Sequence, residues 1–128
     1  KEVTMNERSS KLLDEMTELS VNVIKFCRSV NLPNPVIEQV TKSVTSIGAN
    51  FSEAQDASSK KDFINKIYIA KKEASETKYW LVIISRLTNN PEKIADYSQK
   101  IQQFTMILQK IINTSKQPNR KLPIANAS

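Results

Sequence analysis

Apolar residues recur at alternating steps of three and four through four long stretches of this chain, and three short polar breaks separate them. That spacing draws a single stripe along a helix and is incompatible with the period of two that a half-buried strand shows. The first stripe is Leu12, Met16, Leu19, Val23, Phe26 and Val30, and the second is Val40, Val44, Ile47, Phe51 and Ala54. The third is Phe63, Ile67, Ala70, Ala74, Leu81 and Ile84, with Thr77 in the remaining position, and the fourth is Ile94, Tyr97, Ile101, Phe104, Leu108 and Ile111.

The breaks carry helix-start chemistry. In "NLPNP", Asn34 can cap a helix and Pro35 suits its first position. In "SSKKD", Ser59 stands three residues before Asp62, a capping-box spacing with Asp in place of Glu. "NNPEK" repeats the Asn-Pro start and puts Glu92 where the helix dipole favours an anion. These signals predict helices over about 8–30, 35–57, 59–88 and 91–114. Short connections make neighbours in sequence antiparallel, so the expected fold is an all-α, up-down-up-down four-helix bundle. Residues 1–114 form the single expected domain, and residues 115–128, with two prolines and no apolar period, read as a mobile basic tail.

Composition narrows the function. A single glycine and 6% aromatic residues disfavour a β-rich fold. The apolar runs are too short to span a bilayer, and the polar start "KEVTMNERSS" lacks a signal peptide, so a cytoplasmic protein without membrane contact is expected. Histidine is absent, which removes the commonest general base and the commonest transition-metal ligand. Cys27 is the one cysteine and follows Phe26 on an apolar face. It reads as inert core, with no disulfide, no thiolate metal site and no partner to activate it. No cofactor is expected.

The lone glycine, Gly48, falls inside the second helix, where it costs roughly 1 kcal/mol against alanine. Thr41, Thr45 and Ser52 share its flank of the stripe, and Ser43, Ser46, Asn50 and Glu53 form the other. Small residues on several sides predict a helix crowded by neighbours, with another backbone packed close at Gly48.

"TSIGANFSEA", then "KKDFINKIYIAKKEASETKYWL", then the apolar fourth helix resemble the four-helix-bundle family of bacterial 23S rRNA intervening-sequence proteins, also labelled S23 ribosomal proteins. The family is similar to the accessory protein of diversity-generating retroelements. The resemblance covers about residues 12–114, and the tail beyond Thr114 finds no counterpart. The matching positions are Ser46 to Asn50, Glu53, Asp62 to Ile64, Glu73, Ala74, Glu76, Thr77 and Tyr79 to Leu81. The resemblance implies a non-enzymatic bundle that assembles as a homopentamer. It also implies nucleic-acid contact through a basic surface, beside a reverse transcriptase or another nucleic-acid enzyme.

Charge distribution points to the same partner. The formal net charge is +6. From Ser59 to Thr88 stand seven basic residues, Lys60, Lys61, Lys66, Lys71, Lys72, Lys78 and Arg86, against three acids, Asp62, Glu73 and Glu76. Lys116, Arg120 and Lys121 add to the excess in the tail. Clustered cations gain from counterion release on phosphate backbones. The candidate nucleic-acid contacts are therefore Lys60, Lys61, Lys71, Lys72, Lys78, Arg120 and Lys121, binding RNA or DNA by backbone rather than base sequence; no aromatic–basic interleaving is evident along the chain.

Glu53, Glu73 and Glu76 are the carboxylates that tempt a catalytic reading. No nucleophile or histidine accompanies them, and they read instead as a polar network with Asn50, Thr77, Tyr79 or a lysine. Tyr79 and Trp80 are adjacent, so they face different sides of their helix, and at least one is expected between subunits or under a loop. With Tyr68, Val82 and Ile83 also off the stripe, self-association is expected. The alternative is a protein-binding or structural ring with no nucleic-acid role.

Overall fold

A computed structural model describes residues 6–118. Its helices are α1 (Glu7–Ser29), α2 (Asn34–Ala54), α3 (Lys60–Leu87) and α4 (Pro91–Ser115). Cross-helix contacts fix their directions. A Cβ built on Gly48 would meet Leu13 and Met16 of α1, and Ser20 donates to the Val44 carbonyl. Rising numbers in α1 therefore meet falling numbers in α2. Glu53 meets Lys66 and Ser43 meets Thr77 across α2 and α3. Tyr68 meets Lys116 and Lys78 meets Gln102 across α3 and α4. Each sequential pair is antiparallel, as the short connections require.

All the stripe positions are buried except Val30, which is half-buried. Leu32, in the α1–α2 connection, and Ile112, beside the α4 stripe, complete the core with Cys27. The four helices do not close evenly. The α2–α3 and α3–α4 backbones run closest together, α1 packs on α2, and α1 meets α4 chiefly through Tyr97, whose ring stands by Phe26 and whose hydroxyl donates to the Asn22 carbonyl at 3.4 Å.

Two starts follow the sequence and one does not. Ser59 accepts from the Asp62 amide at 3.0 Å as the α3 cap, but Asp62 reaches back to the Ser58 amide, at 3.4 Å, rather than to Ser59. Asn90 stands at the α4 cap position with Pro91 first in the helix. At α2 the cap position belongs to Pro33, not Asn34. The Pro33 carbonyl already accepts from the Val36 and Ile37 amides, at 3.0 and 3.2 Å, and that draws Asn34 inside. Asn6 caps α1 by accepting from the Ser9 amide at 2.8 Å, a signal the sequence reading passed over. Ser115, assigned to the tail, is the buried last residue of α4. The rest of that tail, with Arg120 and Lys121, lies largely outside the described residues.

Candidate nucleic-acid interface

α3 spans 28 residues and is packed by α2 on one side and α4 on the other, so one long face looks outward. At about 100° per residue its outward cations, exposed except for the half-buried Lys71 and Lys78, fall into two rows. Lys60, Lys71 and Lys78 share the shoulder toward α4. Lys61, Lys72 and Arg86 share the outer ridge, Arg86 joining the lysines that the sequence reading had singled out.

Two lysines of the shoulder row, Lys60 and Lys78, are held by neutral acceptors. Lys60 donates to the Gln117 carbonyl at 3.2 Å. Lys78 donates to the Gln102 side-chain oxygen at 2.8 Å. Lys116, from the end of α4, donates to the Tyr68 hydroxyl at 2.7 Å and lies 5.0 Å from that ring's centre. Lys66 differs: it pairs with Glu53 at 2.9 Å, and that hydrogen bond and charge raise its pKa. Among the described residues it is the only lysine or arginine in a carboxylate ion pair.

A recess of about 500 Å³ lies in the seam between α1 and α4, beside Phe26 and Tyr97. Its rim mixes signs: Lys25 and Lys93 face Asp96 there, and the adjoining hollow sets Glu15 and Glu18 against Lys100. Tyr97 closes the floor, edge-on to Phe26 at 5.9 Å. A surface of mixed sign has no net attraction for a polyanion. No three Asp, Glu or Cys side chains gather as a metal site among the described residues.

The family model described as 23S rRNA-intervening sequence protein matches residues 6–110. The chain belongs to that family. A solved structure from Bacteroides thetaiotaomicron, a protein of unknown function from the S23 ribosomal protein family, is similar at 34% identity. The match covers 83% of this chain and 98% of that one, with a TM-score of 0.72. No curated protein matches the sequence. Among the described residues, no helix of this intervening-sequence protein is long and apolar enough to cross a membrane.

The residues that carry the family resemblance serve packing more than chemistry. Gly48 lies in an unbroken helix, but its neighbours are α1 side chains at ordinary contact: an added Cβ would stand 3.5 Å from Met16 Cβ and 3.6 Å from Leu13 Cδ1. The Met16 Cβ is one bond from the α1 backbone, so α1 does come close at Gly48, although no atom of its main chain lies within 4 Å of the added Cβ. Of the expected carboxylate network one link is present, Glu53 to a lysine across α2 and α3, and the other two glutamates do not join it. Glu53 pairs with Lys66, Glu76 accepts from the Trp80 indole at 3.2 Å, and Asn50 donates to the Ser46 carbonyl within its own helix. Glu73 is half-buried, and its main-chain carbonyl accepts from Thr77 at 2.8 Å. The buried side-chain contact between α2 and α3 is Thr77 to Ser43, at 2.9 Å. Sequence reasoning had placed both residues but not the bond between them. Trp80 packs partly into the core, whereas Tyr79, edge-on to it at 5.7 Å, is 61% exposed.

Proposed function

We propose that this intervening-sequence protein is a non-enzymatic, self-associating cytoplasmic accessory protein that holds the phosphate backbone of RNA or DNA along the cation rows of α3. The observation behind this reading is that Lys60, Lys78 and Lys116 donate to a carbonyl, an amide oxygen and a hydroxyl. A lysine so held keeps its full charge for a phosphate, at reduced cost in side-chain entropy on binding. Lys61, Lys71 and Lys72 extend the rows, and the basic excess of the sequence adds Arg120 and Lys121 from the tail. A nucleic-acid enzyme, such as a reverse transcriptase, is the protein partner that fits.

Fluorescence anisotropy across a salt series tests it. Binding should weaken steeply as salt rises, with little dependence on base sequence. Changing Lys61, Lys72 or Lys78 to Gln should flatten the salt slope by about one unit for each phosphate no longer neutralised. No binding to RNA or DNA at low salt would overturn the reading.

A second reading is a protein-binding or structural ring. Exposed apolar side chains favour it, chiefly Met106 at 63%, with Val82 and Leu87 at 50% each. Such side chains stay exposed in a lone chain and are covered in an assembly.

A further inference from the structure

We infer that the outer ridge of α3 is a stacking platform for unpaired bases, so that the nucleic acid this surface takes is single-stranded; the inference rests on the backbone-binding reading above. Along the chain the aromatic and basic residues of α3 look unrelated. On the helix they interleave. Lys61, Tyr68, Lys72, Tyr79 and Arg86 fall within about 40° of one another at about 100° per residue, in the order cation, ring, cation, ring, cation.

The two rings are open to a ligand. Tyr79 is 61% exposed and Tyr68 is 40% exposed. Each is braced by a neighbour: Tyr79 stands edge-on to the half-buried Trp80, and Tyr68 is held at its hydroxyl by Lys116. A recess of about 450 Å³ opens beside Tyr68, with Lys61, Asp62 and Asn65 on its wall. That is room for a base, with polar groups at its edge.

The spacing suits a strand. Tyr68 and Tyr79 are separated by eleven residues, a rise of about 16 Å along the helix, close to the length of about five nucleotides stacked at about 3.4 Å. Rings offer a sequence-tolerant face to every base, while the intervening cations meet the backbone. A duplex gains nothing from this arrangement. Its bases are already stacked, and a helix entering the major groove reads base edges with polar side chains, whereas this ridge presents the rings of Tyr68 and Tyr79.

The test is anisotropy of the full chain with labelled oligouridine and with an RNA duplex of equal length, at low salt. Oligouridine should bind more tightly. Tyr79→Ala and Tyr68→Ala should each weaken oligouridine binding roughly five-fold, as loss of one stacked base does, and leave duplex binding unchanged. Tyr79→Phe should retain the affinity, while Tyr79→Leu, which keeps apolar bulk without a ring, should lose it. Lys72→Gln should weaken both ligands. Tyrosine variants that bind oligouridine as the unchanged chain does overturn the platform, and the backbone reading then stands on the persisting salt dependence. Equal loss on both ligands, with an altered particle size in light scattering, assigns Tyr79 to a subunit contact and also overturns it. Absence of binding to either ligand removes both readings.

Discussion

Gly48 lowers the helix propensity of α2 by roughly 1 kcal/mol relative to alanine, and the facing side chains of α1 leave room for a methyl group at ordinary contact distance. Gly48→Ala should therefore stabilise the chain by up to about 1 kcal/mol in chemical denaturation. Gly48→Leu should cost about 1–3 kcal/mol, because its added branches would press on Met16 and Leu13. A destabilised alanine variant would mean that a second surface, from another subunit, lies against Gly48. Cys27 gives a pH signature. Burial pushes its thiol from 9.0 up to about 11. The unfolded thiol loses its proton first, so stability is full below about pH 9 and falls as pH rises toward about 11, by on the order of 2 kcal/mol. Tyr97, raised mainly by burial and then by Cys27 and Asp96, acts in the same direction. Urea midpoints across alkaline pH should show the fall, and Cys27→Ala should flatten it.

At the scale of the helix, caps and stripes were legible because both follow from local chemistry. Ser59 shows how far that goes. Its hydroxyl accepts the Asp62 amide at the start of α3, so Ser59→Ala should cost about 1 kcal/mol in a melting experiment, whereas Asn34→Ala, which removes no cap bond, should cost much less. What the sequence hid was partnership across helices. Spacing put Thr77 on a stripe, but nothing in α3 alone says that Ser43 lies opposite. Glu53, Glu73 and Glu76 looked collectable for the same reason, until the rotations of α2 and α3 turned Glu53 to Lys66 and left Glu76 with Trp80. The interleaved ridge was missed by reading α3 as a string; its pattern exists only on a cylinder.

For the whole molecule, the topology was legible from three breaks and four stripes, while assembly is a property of surfaces that one chain does not pair. Met106, Val82 and Leu87 stand out from the bundle in separate places. If they meet other copies, light scattering at micromolar concentration should give a multiple of 14.5 kDa, five-fold if the resemblance carries over. A particle of single-chain mass would remove the ring and leave those side chains as scattered surface residues.

The uneven closure of the bundle has a kinetic consequence. α1 approaches the backbone of α4 least closely and meets it chiefly through Tyr97, so it should swing out more readily than α2, α3 and α4 separate. Openings of that kind occur at a lower free energy than global unfolding. Deuterium should therefore enter the amides of α1 well before those in the middle of α2 and α3, around Ile47, Phe51, Phe63 and Ile67, and time-resolved exchange followed by mass spectrometry would order the helices. Simultaneous exchange of all four would show that the seam is sealed in solution by a neighbouring copy.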